Sequence, residues 1–463
     1  MKKVLLANVL IAIALLTPLA ARADLYAAAA AAEKQDFPRA FELYRELAEL
    51  GSLEAQEMLA VMYVNGEGVK RDNVLGYAWA AIAMENGGGE AARGIVSQLQ
   101  PHLNPAARAR VAEVQAKFGM AALNDRLLPT RVVPGSLPAN ACKMGRPADP
   151  GSFYPPEAKR RGLSGMVFLE ATVAPDGRAR NVRVWYSLPT TVFDEAGRRV
   201  AFENTYSPPL ENGVAVSCTI RFKVKFSVRV NGAKTVSSEL QESAAETKTK
   251  AESGDPHSQL LYGLLLETRS ELNTQQEDVM AWFLKAAQAG VPVAQYIVGV
   301  HSLNKPARGN QTPKGIAWLQ MAADAGQADA QAALANYLLR RSPDAEALGK
   351  AQALLEKSAA LGNRDGRYEL AALLATAPDA GRRDPKRSLE LLGRVMQYFD
   401  FDPTAFEIRA AARAMLGDFV AAQADQKTAL QKAKKLGWNL TDQQARLASY
   451  AASKPWTGYF FAR

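Results

Sequence analysis

Residues 282–299 read WFLKAAQAGVPVAQYIVG and residues 318–335 read WLQMAADAGQADAQAALA; set one above the other, they agree at a spacing of 36. Residues 354–371, LLEKSAALGNRDGRYELA, make a third copy. Trp282, Trp318 and Leu354 coincide, as do Ala287, Ala323 and Ala359, and Gly290, Gly326 and Gly362. Gly254 continues the series backwards, and Gly51 and Gly87, with Trp79 ahead of the latter, repeat it near the N-terminus. A fixed period of this length marks a repeat architecture.

The repeating unit has a direct physical reading. An aromatic residue or Leu followed at helical spacing by Ala gives a helix face that a neighbouring helix can approach closely. The glycine supplies the left-handed residue that ends the helix, and the next apolar run starts three or four residues later. Two such short helices cannot bury their apolar faces alone, so successive hairpins are expected to stack into an α-solenoid. Trp79, Trp282 and Trp318 belong to its core.

Residues 55–88, AQEMLAVMYVNGEGVKRDNVLGYAWAAIAMENGG, resemble a Sel-one-like repeat, a relative of the TPR. Tyr63, Gly66, Gly68, Val69, Asp72, Trp79 and Ala83 fall in that family's positions, while Ala60 and Gly76 exchange one small residue for another. The second array is more degenerate: LNKPARGNQTPKG, residues 303–315, lacks the Gly-x-Gly-Val turn. Residues 411–437 resemble a single TPR hairpin, with Gly417, Phe419 and Ala422 around the turn, and are expected to cap the second solenoid. These resemblances imply a scaffold for protein partners rather than an active site.

Between the two arrays the pattern changes. Val167, Leu169, Ala171 and Val173 alternate with other residues, which is strand spacing, and Pro175-Asp176-Gly177 turns the chain into a second short strand, Asn181–Ser187. Thr191–Asn204 places Phe193, Ala196, Gly197 and Val200 on one helical face. Val214–Val228 reads as a long strand with Val216, Cys218, Ile220, Phe222, Val224, Phe226 and Val228 on one side. Its other side carries Thr219, Arg221, Lys223, Lys225 and Ser227. The order is helix, β-hairpin, helix, strand: a small α+β domain.

That domain resembles the C-terminal domain of TonB-type energy transducers over Tyr154–Val228. The resemblance rests on Tyr154-Pro155, Ala158, Gly162, Gly165, Asp176-Gly177, Ser187, Asp194, Ala196, Pro208-Pro209, Gly213 and Phe226. It implies peptide recognition, in which an extended segment of an outer-membrane receptor adds to the last strand by β-augmentation. Thr219, Arg221, Lys223, Lys225 and Ser227 would then form the peptide-binding strand, its cations selecting acidic or polar peptides. The same lysines would also discourage edge-to-edge aggregation. A full transducer needs an uncleaved N-terminal anchor and a long Pro-rich spacer, and neither pattern is expected here.

Residues 1–23 have the layout of a secretory signal peptide: Lys2 and Lys3, an apolar run, Pro18, and the small-x-small site Ala21-Arg22-Ala23. Cleavage there predicts a periplasmic protein; an uncleaved segment would tether it to the inner membrane. Without that segment 53 basic residues face 47 acidic ones, a net charge of +6 with no long basic block, which gives no reason to expect nucleic acid. Cys142 and Cys218 are the two cysteines, and an exported chain is expected to join them. The bond would fasten the Pro-rich residues 131–151 to the sheet. His102, His257 and His301 are too dispersed for a metal motif, and no catalytic pattern occurs, so no enzyme activity, cofactor or metal is expected.

The expected organisation is therefore mainly α, with two α-solenoid arrays flanking a TonB-like α+β domain. Its segments are a signal peptide 1–23, repeats 24–130, a Pro-rich linker 131–150, the α+β domain 151–230, a linker 231–250, repeats 251–375 and a TPR-like cap 376–463. The expected function is a periplasmic protein-interaction scaffold whose partners are envelope proteins, such as the N-terminal segment of an outer-membrane receptor. The alternative is a TonB-class component of outer-membrane uptake, contacting the membrane through an uncleaved N-terminal segment.

Overall fold

A computed structural model describes residues 24–129, 142–188, 191–227, 238–304, 311–340, 344–456 and 458–461. The signal segment, most of the Pro-rich lead-in and Val228 lie outside the described residues. The first helices are α1 (Leu25–Glu33), α2 (Phe37–Glu49), α3 (Leu53–Asn65), α4 (Asn73–Glu85), α5 (Glu90–Leu99), α6 (Pro105–Phe118) and α7 (Met120–Arg126). An α+β segment follows: β1 (Lys143–Met144), α8 (Pro156–Arg160), β2 (Gly165–Val173), β3 (Ala179–Leu188), α9 (Asp194–Glu203), β4 (Tyr206–Ser207), β5 (Leu210–Glu211), β6 (Val214–Ala215) and β7 (Cys218–Phe226). Helices resume with α10 (Ser238–Glu252), α11 (Pro256–Thr268), α12 (Val279–Gln288), α13 (Pro292–Asn304) and α14 (Gln311–Asp324). They continue as α15 (Ala328–Leu339), α16 (Ala345–Ala360), α17 (Arg364–Thr376), α18 (Pro385–Val395), α19 (Pro403–Met415), α20 (Phe419–Lys435) and α21 (Thr441–Ala451). In sequence, helical hairpins thus stand on both sides of a small α+β domain. The stretch expected as a second linker, 231–250, contains most of α10.

The 36-residue punctuation is a backbone property. Gly51, Gly87, Gly254, Gly290, Gly326 and Gly362 all adopt left-handed φ, from +85° to +95°, a region that disfavours side chains. Side-chain caps then open the following helices: Ser52, Asp255 and Asn363 accept from the backbone N–H groups of Ala55, Ser258 and Gly366. Gly68 is equally constrained, because a Cβ there would stand 2.1 Å from the Phe37 carbonyl oxygen. A recurrent Gln adds a contact that the apolar pattern does not reveal. Gln56, Gln259 and Gln295 are buried, and each donates its amide to the carbonyl eight residues earlier, of Ala48, Ala251 and Ala287 at 3.2–3.3 Å. Each thereby satisfies a carbonyl near the end of the preceding helix.

The chain forms two compact units, each assembled from two stretches of sequence: 1–136 with 235–326, and 137–234 with 327–463. In the first, Leu47, Leu59, Trp79 and Ile82 centre the N-terminal core. The end of α7 is closed by α14: Trp318 Nε1 donates to the Leu127 carbonyl at 2.9 Å, and the buried Lys314 ammonium donates to the carbonyls of Leu128, at 3.1 Å, and Asn124. A cation at a helix C-terminus is the favoured sign.

In the second unit the sheet order is β3-β2-β7, antiparallel throughout. α9 covers one face closely, since a Cβ on Gly197 would meet Val167 at 2.9 Å. Phe193 stacks on Phe226 at 5.1 Å, and Tyr154 meets both rings edge-on. Strand spacing predicts one buried face for β2, yet all nine of its residues are buried. The reason is a second cover: α15 packs on β3, and side chains of α17 and of Arg340, at the end of α15, reach the sheet. The long strand expected over Val214–Val228 is divided into β6 and β7, with Val216 and Ser217 between them.

Candidate interaction surface

The last strand lies at the edge of its sheet, and β2 is the one strand paired with it among the described residues. The register sets Thr219 opposite Thr172, Arg221 opposite Glu170, Lys223 opposite Phe168 and Lys225 opposite Met166. Four of the five polar residues expected to read a peptide, Thr219 to Lys225, therefore share one face, and Ser227 lies just past the end of the strand; their surroundings differ. Thr219 and Arg221 are half-buried, whereas Lys223, Lys225 and Ser227 are exposed. Arg221 Nε donates to Glu170 Oε2 at 2.6 Å, and Thr219 Oγ1 is buried. The ammonium of Lys223 stands 6.0 Å from the centre of the Phe168 ring.

Glu170 joins the sheet to the helices behind it. Its other oxygen accepts from Arg340 at 2.7 Å, so two guanidiniums share one buried carboxylate. Burial alone would lift the carboxyl, but Arg340, Arg221 and Arg183 outweigh it and hold Glu170 below the ordinary range. Two further arginines cross to α17: Arg183 of β3 lies 3.4 Å from Glu369, and Arg198 of α9 pairs with Asp365. Burial pushes Glu369 up to about 7 despite Arg183, and Glu369 Oε2 is buried with no hydrogen-bond partner among the described residues. Asp194, at the start of α9, is likewise lifted by burial to about 7, against the pull of Arg198 and a hydrogen bond with Ser187.

The β2–β3 turn is fastened as well. Asp176 accepts from Arg180 and from the Asn439 backbone N–H, each at 2.7 Å, and the Arg180 guanidinium lies 3.6 Å from the Trp438 ring centre. Trp438 and Ala433 belong to the same core as Val167 and Phe226. The predicted disulfide is present: Cys142 and Cys218 are bonded, with Cα atoms 5.7 Å apart. Beside it β1 pairs with β4, and Gly145, Arg146 and Ala148 donate backbone N–H groups to Thr205 and Asn204. The described end of the lead-in is thus fastened to the α+β domain; residues 131–141 are outside the described residues.

Among the described residues no group of three or more His, Cys, Asp or Glu side chains is placed to hold a metal, and no helix is long and apolar enough to cross a membrane. Sequence reasoning found the edge strand and its cations but not Glu170, Arg183, Arg198 or Arg340. Their one visible trace was charge inside otherwise apolar strand and helix patterns.

An α+β domain with an edge strand, set in sequence between helical-hairpin repeats, defines a class of repeat protein built around an inserted β module. Family profiles give the parts their names. Residues 150–228 match the Gram-negative bacterial TonB protein C-terminal domain, and residues 25–52, 53–88, 280–291, 292–327 and 328–363 match the Sel1 repeat. The chain thus carries Sel1 repeats on both sides, in sequence, of a TonB C-terminal-like domain. No curated protein is significantly similar to it. Among solved structures, it is similar to a protective antigen present in uropathogenic Escherichia coli strains that displays an SLR fold, at 16% identity over 96% of this chain and 82% of that one, with a TM-score of 0.34. It is also similar to a Sel1 repeat protein from Oxalobacter formigenes, at 15% identity over 80% of this chain and 98% of that one, with a TM-score of 0.30.

Proposed function

We propose that this protein is a non-enzymatic scaffold of the Gram-negative periplasm, and that the TonB-like domain binds an extended peptide of an envelope protein along β7. The observation that carries the reading is the edge position of β7, beside a central strand β2 that is buried on both faces. A partner can then add to this sheet by backbone hydrogen bonds along the strand, the mode used in strand addition. Arg221 and Thr219 serve the base of the strand, and Lys223, Lys225 and Ser227 meet the partner. Their charge favours a peptide with acidic side chains. The disulfide supports an oxidising compartment, where such bonds persist.

A photo-crosslinking residue in place of Lys225, used in living cells, tests the proposal. The expected product is an adduct with an extended segment of an outer-membrane receptor or another envelope protein, mapped by mass spectrometry and lost when Lys223 is changed to Glu. Adducts confined to the protein's own chain, or an adduct unaffected by Lys223→Glu, would overturn it.

A further inference from the structure

Beyond α21, residues 456–461 hold four aromatic side chains within six positions: Trp456, Tyr459, Phe460 and Phe461. Instead of extending the last helix, they lie against the cores of the preceding ones. Phe461 packs against the cluster containing Leu339, Leu355 and Leu370 and also against that containing Leu392, Phe399 and Ile408. Trp456 bridges the latter to the small cluster around Tyr450. Its ring and that of Phe460 stand 5.0 Å apart, with the Arg446 guanidinium 4.3 Å from the first and 5.1 Å from the second. Phe460 and Phe461 also wall a cavity of about 40 Å³ whose lining includes Tyr368, Glu369 and Asp402.

Several features separate this segment from the core on which it lies. All four rings are only half-buried, whereas the residues beneath them are nearly inaccessible. Among the described residues, no backbone hydrogen bond ties Gly458–Phe461 to the helices. The Tyr459 hydroxyl is buried without a hydrogen-bond partner among those residues, a cost that a well-fitted core avoids. What holds the segment is ring burial and the attraction of a guanidinium for two aromatic faces. Those are the terms by which a groove holds a short aromatic peptide.

We infer that the surface formed by α15, α17, α19 and α21 is a second peptide-docking groove, occupied by the chain's own C-terminal segment. The partner it fits is a short peptide folded back on itself, with two aromatic side chains four residues apart whose rings meet, as those of Trp456 and Phe460 do at 5.0 Å. Such a peptide binds by displacing the segment, so the tail sets the threshold for docking. This site is separate from β7 and stands whether or not that strand binds peptide.

The test uses a fluorescein-labelled peptide with the sequence of residues 454–463, the full chain, and a chain ending at Pro455. The labelled peptide is expected to bind the shortened chain at least tenfold more tightly than the full chain. The same peptide with Trp456 and Phe460 both changed to Ala is expected to lose at least tenfold in affinity. Equal binding to both chains, or none to a shortened chain whose circular dichroism is unchanged, would overturn the inference. A full chain whose mass rises with concentration until it saturates as a dimer would assign the groove to the tail of a second copy and overturn the peptide partner. A full chain carrying Trp456→Ala and Phe460→Ala decides the case even if the shortened chain does not fold. It should bind the labelled peptide at least tenfold more tightly than the unaltered chain, and equal binding would make the segment an integral part of the core.

Discussion

Replacing Glu170 with Gln removes one negative charge and almost no volume. Glu170 is 3% exposed and is shared by Arg340 and Arg221, whose side chains are 9% and 27% exposed. The neutral amide leaves these guanidiniums facing each other without the carboxylate between them. Breaking a buried pair in this way costs about 3–5 kcal/mol, because the remaining charge stays desolvated. For a unit of this size each kcal/mol lowers Tm by about 2–4 °C, so a fall of roughly 6–20 °C is expected in the transition of the second unit. Urea unfolding followed by circular dichroism measures the free energy directly. The combined change Glu170→Met, Arg221→Met and Arg340→Met supplies the contrast, since apolar replacement of a whole buried charge cluster is often neutral or stabilising. If Glu170→Gln changes stability by less than about 0.5 kcal/mol, the value of an ordinary surface substitution, the cluster does not hold the sheet to the helices.

Three further outcomes are expected. Glu369 and Asp194, at about 7, and Asp402, lifted by burial to about 6, bind protons in the folded state that the unfolded chain has released. Their contribution is complete below the ordinary carboxylate range and is lost as pH rises through 6–7, by up to about 1.4 kcal/mol per pH unit for each group. Glu170, held low, acts in the opposite sense, and its contribution disappears in acid. The urea midpoint should therefore rise as pH falls from about 8 to about 4.5 and fall only in stronger acid; a midpoint flat or falling over the first interval would contradict these assignments. Reducing the Cys142–Cys218 bond, which closes a loop with a sequence separation of 76, should cost about 4 kcal/mol by the chain-entropy relation, measured by unfolding with and without reductant. Gly68→Ala should destabilise the first unit by more than about 1 kcal/mol, because a methyl group meets the Phe37 carbonyl at a left-handed φ of +70°; an unchanged Tm would show that the turn relaxes.

The repeats are legible in the sequence because their information is local. Each of the six glycines at the 36-residue spacing must take a backbone angle that other residues resist, and the helices on either side follow from 3.6-residue periodicity. The sheet is legible for the same reason, since Val167 to Val173 alternate and Asp176-Gly177 turns the chain. What escapes is the partnership of distant charges. Glu170 and Arg340 are 170 residues apart, and Arg198 and Asp365 are 167 apart; neither pair leaves a mark at helix or strand spacing. The same blindness makes Arg221 look like a free cation on an outward face, when the helices behind the sheet supply the carboxylate network it enters. The Gln series was within reach: a small residue followed by Gln recurs at 55–56, 258–259 and 294–295, but a polar residue in an apolar register gives no reason for its burial until its carbonyl partner is seen.

Both compact units are discontinuous in sequence, and this orders events during synthesis. When Glu170, Arg183 and Arg198 leave the ribosome, the residues that will neutralise or cover them have not been made. At about 5–20 residues per second, the 170 residues separating Glu170 from Arg340 take roughly 10–30 s to appear. During that interval the young sheet carries unmatched charge on the face that α15 and α17 will later close. The C-terminal helices are therefore the last step in maturing a domain that began much earlier, and a chain interrupted after Gly326 would expose that unfinished face to the cell's quality control.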